Sequence, residues 1–149
     1  MAVLSSAAPG APPIGLNEAN IRKFVAAQGR FWNARDFTHF YATFDPRAAI
    51  VTVHRTKNGR PVRSARTLVQ DREAAEKLFA SSHADIRETD RIEHIAIGAA
   101  GRRATVRVRE TATIKVHGKV KVLLAVTEQV LVWRKGGIVS LGLTEWDDR

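Results

Sequence analysis

Residues 103–146, RATVRVRETATIKVHGKVKVLLAVTEQVLVWRKGGIVSLGLTEW, decide the fold of this 149-residue chain. Valine, leucine and isoleucine recur at every second position, broken at His117-Gly118-Lys119 and at Gly136-Gly137. That alternation is the period of a strand with one buried face. Three consecutive antiparallel strands follow. Glutamates interrupt the valine face: Glu110 after Val106 and Val108, Glu128 between Val126 and Val130, and Glu145 after Leu141 and Leu143. A carboxylate on an apolar face must be paired, protonated or functional, because burying it alone costs too much.

Turn lengths set the expected registers. Gly136-Gly137 suits a two-residue hairpin with positive φ at both positions, pairing Lys135 with Ile138 and Glu128 with Glu145. A three-residue His117-Gly118-Lys119 loop pairs Val116 with Val120 and Val108 with Glu128. Upstream, Arg91–Ile97 reads as a fourth strand, with Ile95 opposite Val106, Glu93 opposite Val108 and Arg91 opposite Glu110. The inner face then carries the row Glu93–Val108–Glu128–Glu145, with Arg91–Glu110 beside it. A slip of one residue would move a whole set to the other face.

Helical spacing governs the first half. Asn17 caps a helix over Glu18–Asn33, whose stripe is Ile21, Phe24, Val25, Gln28, Phe31 and Trp32. Asp36 caps a second helix, Phe37–Phe44, ended by Asp45-Pro46. Ala49–Val53 is a strand that turns at Asn58-Gly59, and Arg60–Thr67 returns as a polar edge strand. Asp71 caps a third helix from Arg72 to about Ser82. Met1–Gly15 is small, Pro-rich and uncharged, and reads as a flexible tail before one domain over 16–149. Helix, helix, hairpin, helix and meander make an α+β domain, with the helices on one face of a strongly curved, mostly antiparallel sheet.

The chain carries a formal charge of +9 and no cysteine. Thiol chemistry and thiolate metal sites are excluded. The start lacks the basic and apolar pattern of a signal peptide, so the cytoplasm is expected. Basic residues gather at Arg55, Lys57, Arg60, Arg63 and Arg66 without interleaved aromatics, which makes nucleic acid an unlikely partner and leaves an anion binder as a weaker alternative. The five histidines show no metal-ligand spacing, so neither a metal nor another cofactor is expected.

Trp32-Asn-Ala-Arg-Asp-Phe37, Phe40-Tyr41 to Phe44-Asp-Pro46, and the closing Thr127-to-Val139 segment resemble the nuclear-transport-factor-2-like superfamily. SnoaL-like polyketide cyclases and ketosteroid isomerases are kin within it. The resemblance spans about Glu18 to Asp147. It implies a cone of curved sheet closed by three N-terminal helices, with a pocket inside and frequently a dimer. Aligned on Asn33–Asp36, the oxyanion tyrosine of the ketosteroid isomerases falls at Gln28 and their base aspartate near Thr52. Neither residue type matches, so isomerisation by that machinery is not expected, and Tyr41 and Asp45 are the candidates if the alignment shifts by a few residues.

The expected chemistry is that of a lyase, isomerase or cyclase acting on a small apolar or anionic molecule. Glu128 is the principal acid/base, Glu145 raises its pKa, and Glu110 with Arg91 orients it. Trp32, Phe31 and Tyr41 wall the pocket, with Gln28, Glu93 and His54 as further contacts. The alternatives are a non-catalytic dimeric binding module of the same fold, with carboxylates that serve only ion pairs, and core packing for the aromatics. Leu123, Leu131, Trp133 and Trp146 lie on the outer face, and a homodimer is expected through them.

Overall fold

A computed structural model describes residues 15–81 and 84–147. The expected tail lies outside the described residues except for Gly15. Leu16 is already buried, and its amide donates to the Gly101 carbonyl at 2.7 Å.

Helix α1 spans Glu18–Asn33, as its spacing predicts. The Asn17 side chain accepts from the Asn20 amide at 2.9 Å and so satisfies a donor the first turn leaves open. Ile21, Val25 and Gln28 are its buried stripe. Arg35 then takes a left-handed φ of 60°, which turns the chain sharply. Helix α2, Phe37–Ala42, is capped by Asp36 and stops two residues short of the expected Phe44. The Thr43 hydroxyl bonds back to the Phe40 carbonyl at 2.6 Å, and Phe44 already opens strand β1, Phe44–Arg55. Strand β2 covers Pro61–Thr67 and is exposed throughout, as an edge strand should be.

Helix α3, Leu68–Ser81, begins earlier than Asp71. Thr67 is its cap. The Thr67 hydroxyl accepts from the Gln70 amide at 3.2 Å, and the Gln70 side chain accepts from the Thr67 amide at 3.0 Å. This reciprocal pair closes the first turn and leaves Asp71 free for another role. Four strands follow: β3 Asp85–Ile97, β4 Arg103–Val116, β5 Lys119–Arg134 and β6 Gly137–Asp147. The sheet order is β2-β1-β6-β5-β4-β3, with only the β1–β6 pair parallel. The helices lie against one face of this curved sheet, an α+β cone. None of the described helices is long and apolar enough to cross a membrane.

One turn reverses the expected facing of β5. His117-Gly118 is a two-residue turn, with φ of 48° and 77°, and it pairs Val116 with Lys119. Positive φ at both positions gives the hairpin twist that matches the strands. The expected three-residue loop differs by one residue, so the β5 side chains exchange faces. Thr127, Gln129 and Leu131 face inward and are buried. Glu128 faces outward. The next turn is Lys135-Gly136 rather than Gly136-Gly137, pairing Arg134 with Gly137. A register shift then falls between the Leu131–Ser140 and Gln129–Leu143 pairs. This bulge places Ser140 inside with Leu143 and Glu145, and turns Val139 and Leu141 outward. Gly142 sits at the bulge, where a Cβ would lie 3.0 Å from the Ala49 carbonyl oxygen.

A second bulge acts on β3. Ile95 pairs with Val106 as expected, but the ladder shifts between Ile92 and His94. Ile92 therefore meets Val108, and Asp90 meets Glu110. Arg91 and Glu93 move to the outer face. There Glu93 pairs with Arg109 at 3.2 Å and Arg91 at 3.7 Å.

The main core joins Leu16, Ile21 and Val25 to Ala104, Val106, Val108 and Leu131, with Trp133 and Ile138 packed against it. Leu131 is fully buried, so Leu131 and Trp133 are not the outer dimer face the sequence suggests. A second cluster knits α1, α2 and α3 through Trp32, Phe37, Phe40, Tyr41 and Phe79. The Arg35 guanidinium stacks 3.8 Å from the Phe79 ring centroid and donates to the Ile86 carbonyl at 2.6 Å.

Candidate functional site

The sheet and helices enclose a cavity of about 350 Å³. From α1 come Val25, Gln28, Gly29 and Trp32, and α2 adds Phe40. From α3 come Asp71, Ala74, Ala75 and Leu78. The sheet supplies Ile50 and Thr52 on β1, Arg66 on β2, Glu88 and Asp90 on β3, Val108 and Glu110 on β4, Thr127 and Gln129 on β5, and Leu143 and Glu145 on β6. The cavity thus has apolar and aromatic walls with five carboxyl groups set into them.

Glu88, Asp90 and Glu110 form the densest group. One oxygen from each lies within 4.8 Å of the others. Alternation along β3 and the Asp90–Glu110 pairing bring them to one face. Three carboxylate oxygens at this spacing are the donor type a hard divalent cation takes. Burial first, and then the charges of Glu88, Glu145 and Asp90, push the Glu110 carboxyl well above the ordinary glutamate range. Glu88 rises to about 7, through burial first and the Asp90 charge second. Asp90, the most exposed of the three, rises to about 6 through desolvation. Its carboxylate lies against α1 at Gly29, where an added Cβ would sit 2.9 Å from Oδ2. Glycine at 29 makes room for it.

Glu145 lies across the sheet, with Thr127 opposite it on β5 and Thr52 on β1. Burial raises its pKa, and the nearby Asp147 and Asp71 charges add to the rise. Asp71 accepts from the Tyr41 hydroxyl at 2.6 Å and faces Arg66 at 3.7 Å. Burial and that bond to a carboxylate push the Tyr41 hydroxyl far up, so it remains a donor. At the cavity floor Gln28 and Gln129 exchange hydrogen bonds of 3.1 and 2.8 Å, and Gln28 also donates to the Thr43 hydroxyl at 3.0 Å. This satisfies two buried amides.

Of the residues the sequence singled out, Glu110, Glu145, Trp32 and Gln28 reach the cavity. Glu128 does not. It accepts from Arg107 at 2.6 Å on the outer face, a consequence of the two-residue turn. Arg91 and Glu93 leave with the β3 bulge. Tyr41 stands behind the wall and acts on Asp71. Phe31 turns away to stack on His39, with ring centroids 5.3 Å apart. His54 is exposed, opposite Val62 near the hairpin tip. Asp45 pairs with Arg134. A strand taken from Arg91 onward leaves out Glu88 and Asp90, which precede it on β3. The alternation Ile86, Glu88, Asp90, Ile92 was the available signal.

No family model matches the sequence, and no curated protein matches it. Solved structures do. A β subunit of a putative aromatic-ring-hydroxylating dioxygenase from Novosphingobium aromaticivorans superposes with a TM-score of 0.71 at 14% identity, covering 89% of each chain. A ketosteroid isomerase-like protein from Erwinia carotovora atroseptica gives 0.66 at 16% identity, over 90% of this chain and 99% of its own. An NTF2-like protein with a cystatin-like fold, also from Novosphingobium aromaticivorans, gives 0.60 at 11% identity, over 87% and 80%. This chain has the nuclear-transport-factor-2-like fold. Within that fold the cavity occupies the interior of the cone, and Gln28 and Thr52, the positions singled out by the ketosteroid-isomerase alignment, both line it. An amide and a hydroxyl stand there, so any acid/base work falls to the carboxyl groups.

Proposed function

We propose that the cone is the active site of a small-molecule lyase, isomerase or cyclase that works by carboxylate acid–base chemistry. One observation carries the reading: the carboxyl oxygens of Glu110 and Glu88 lie within 4.8 Å of each other, with Asp90 beside them, in a cavity walled largely by apolar side chains. Such a pair keeps a proton at neutral pH and can deliver it to a substrate oxygen. Glu110 is the general acid and Glu88 the group that holds and replenishes its proton. Asp71, oriented by Tyr41 and presented from a different element, is the base. Trp32 and Phe40 supply the apolar wall. Glu128, the residue favoured by the sequence alone, has no part.

The test is a site-resolved carboxyl titration by NMR, followed by screening of enones, epoxides and hydroxy-ketones. The reading expects Glu110 and Glu88 to titrate well above ordinary glutamate, and any turnover found to vanish in Glu110→Gln while persisting in Glu128→Gln. Ordinary titration of both groups would overturn it.

A second reading follows from the likeness to a dioxygenase β subunit, namely a module that serves an assembly. The corrected outer face favours it. Val126, Val130 and Val132 on β5 lie beside Val139, Leu141 and Trp146 on β6, half-buried and apolar. We place the homodimer contact there instead of at Leu131 and Trp133. Sedimentation of Val130→Glu tests it: a parent dimer reduced to monomer supports the contact, and an unchanged mass opposes it.

A further inference from the structure

The cavity's charge weighs against the anionic member of the expected pair of guests, a small apolar or anionic molecule. The chain as a whole is strongly basic, at +9. Yet among the described residues its cavity is lined by five acidic ones, Asp71, Glu88, Asp90, Glu110 and Glu145, against a single Lys or Arg, Arg66. Arg66 faces Asp71 already. The basic residues of the β1–β2 tip and the outer arginines of β4 lie elsewhere. The cavity is thus predominantly acidic, although the chain that builds it is basic.

Partial burial beside apolar surface strengthens the interactions among these carboxyl groups, most at Glu110 and least at the exposed Asp90. Glu88, Asp90 and Glu110 repel one another at under 5 Å. Holding protons relieves that repulsion in the empty cavity. A guest that brings positive charge would relieve it without the protons. The space is far larger than one ion needs, and the aromatic residues Trp32 and Phe40 line it with Val25, Ile50 and Leu143. Aromatic faces near carboxylates suit an organic cation, through cation–π attraction on one side and charge pairing on the other.

We infer that the ligand of this cavity is an organic cation, a protonated amine carried on an apolar or aromatic body. The inference rests on the cavity being the functional site proposed above and names its substrate class. The ammonium sits among Glu88, Asp90 and Glu110, and the apolar body lies along Trp32 and Phe40. Entry of the cation displaces the protons of Asp90 and Glu88 and leaves Glu110 its own for acid catalysis, so binding releases protons to the buffer and tightens as pH rises through about 6 to 7.

Calorimetry on the full chain tests this with three matched probes: 1-naphthylmethylamine, 1-naphthylmethanol and 1-naphthoate. The expected result is that the amine binds at least about tenfold tighter than the alcohol and that the naphthoate binds weakest. The amine should bind about tenfold or more weakly near pH 5 than near pH 8, and the heat should depend on the ionisation enthalpy of the buffer. Asp90→Asn, at the most exposed carboxyl, should weaken the amine and leave the alcohol unchanged. If Glu110→Gln fails to fold, Asp90→Asn and the buffer dependence still decide. An amine that binds no tighter than the alcohol, including no measurable binding of either, overturns the inference. So does magnesium chloride alone displacing the amine at equimolar concentration, which would mark a bare-ion site. Loss of amine preference with Glu110 and Glu88 still titrating high sinks the cation and spares the acid–base reading. Amine preference with ordinary titration and no turnover does the reverse.

Discussion

Replacing Glu88 by glutamine should stabilise the protein at alkaline pH and leave it nearly unchanged at acid pH. The Glu88 carboxyl moves from 4.5 to about 7 in the fold, chiefly by burial. A carboxyl whose folded pKa exceeds its unfolded value binds more protons in the native state. Its contribution is complete below the unfolded value, about pH 4.5, and is lost as pH rises through about 7. At about 1.4 kcal/mol per pKa unit, a rise of this size is worth at most about 3.5 kcal/mol. Glu88 is half-buried at the wall of a solvent-accessible cavity, so screening reduces the expected effect to about 1–2 kcal/mol. Glutamine keeps the shape and an acceptor for Glu110 but never ionises. Urea unfolding near pH 4.5 and near pH 8, followed by circular dichroism, measures the difference. The variant should gain on the parent by about 1–2 kcal/mol between the two conditions. A difference that does not vary with pH, or a variant that loses ground as pH rises, would refute the assignment of a raised carboxyl.

Leu131→Ala should cost about 2–5 kcal/mol in the same assay, because Leu131 is fully buried among Val106, Val108 and Ile21; a loss below about 1 kcal/mol would support the original outer-face register. Glu128→Gln should cost under about 1 kcal/mol, as an exposed ion pair with Arg107 does, and should leave the titration of the cavity carboxyls unaltered by NMR. Tyr41→Phe should cost about 1–2 kcal/mol by removing the 2.6 Å bond to Asp71, and should displace the Asp71 carboxyl resonance. Gly29→Ala should push Asp90 from its place under α1, since the new methyl would lie 2.9 Å from Oδ2, and the Asp90 titration should fall back toward an ordinary aspartate; an unmoved Asp90 resonance would count against that packing.

The likeness to solved structures is one of fold, at 11–16% identity for the three described. It does not assign chemistry, since one scaffold hosts many functions. This chain combines an acid-lined cone with a basic overall composition. The titratable groups that matter lie on β3, β4, β6 and α3, so no local motif contains them.

Local physics was enough for much of the fold. The 3.6-residue stripe and the Asn17 cap fixed α1 to the residue, because both signals lie within one turn of chain. Alternation over 103–146 marked three strands, and element order pointed to the α+β cone. Glu110, Glu145, Trp32 and Gln28 were legible as cavity residues because β4, the end of β6 and α1 kept the parity their patterns implied. The tertiary structure decided the rest. Whether His117-Gly118 closes with two residues or three depends on how the strands pair, and that single residue sent Glu128 out and Gln129 in. The bulges near Glu93 and Gly142 have the same effect on β3 and β6, exchanging Arg91 and Glu93 for Glu88 and Asp90. A period of two carries no memory of which face is inside. Valine can pack on either face of this sheet, so composition could not choose, and only the closing of the helices over one side assigned the carboxyl groups to the cavity.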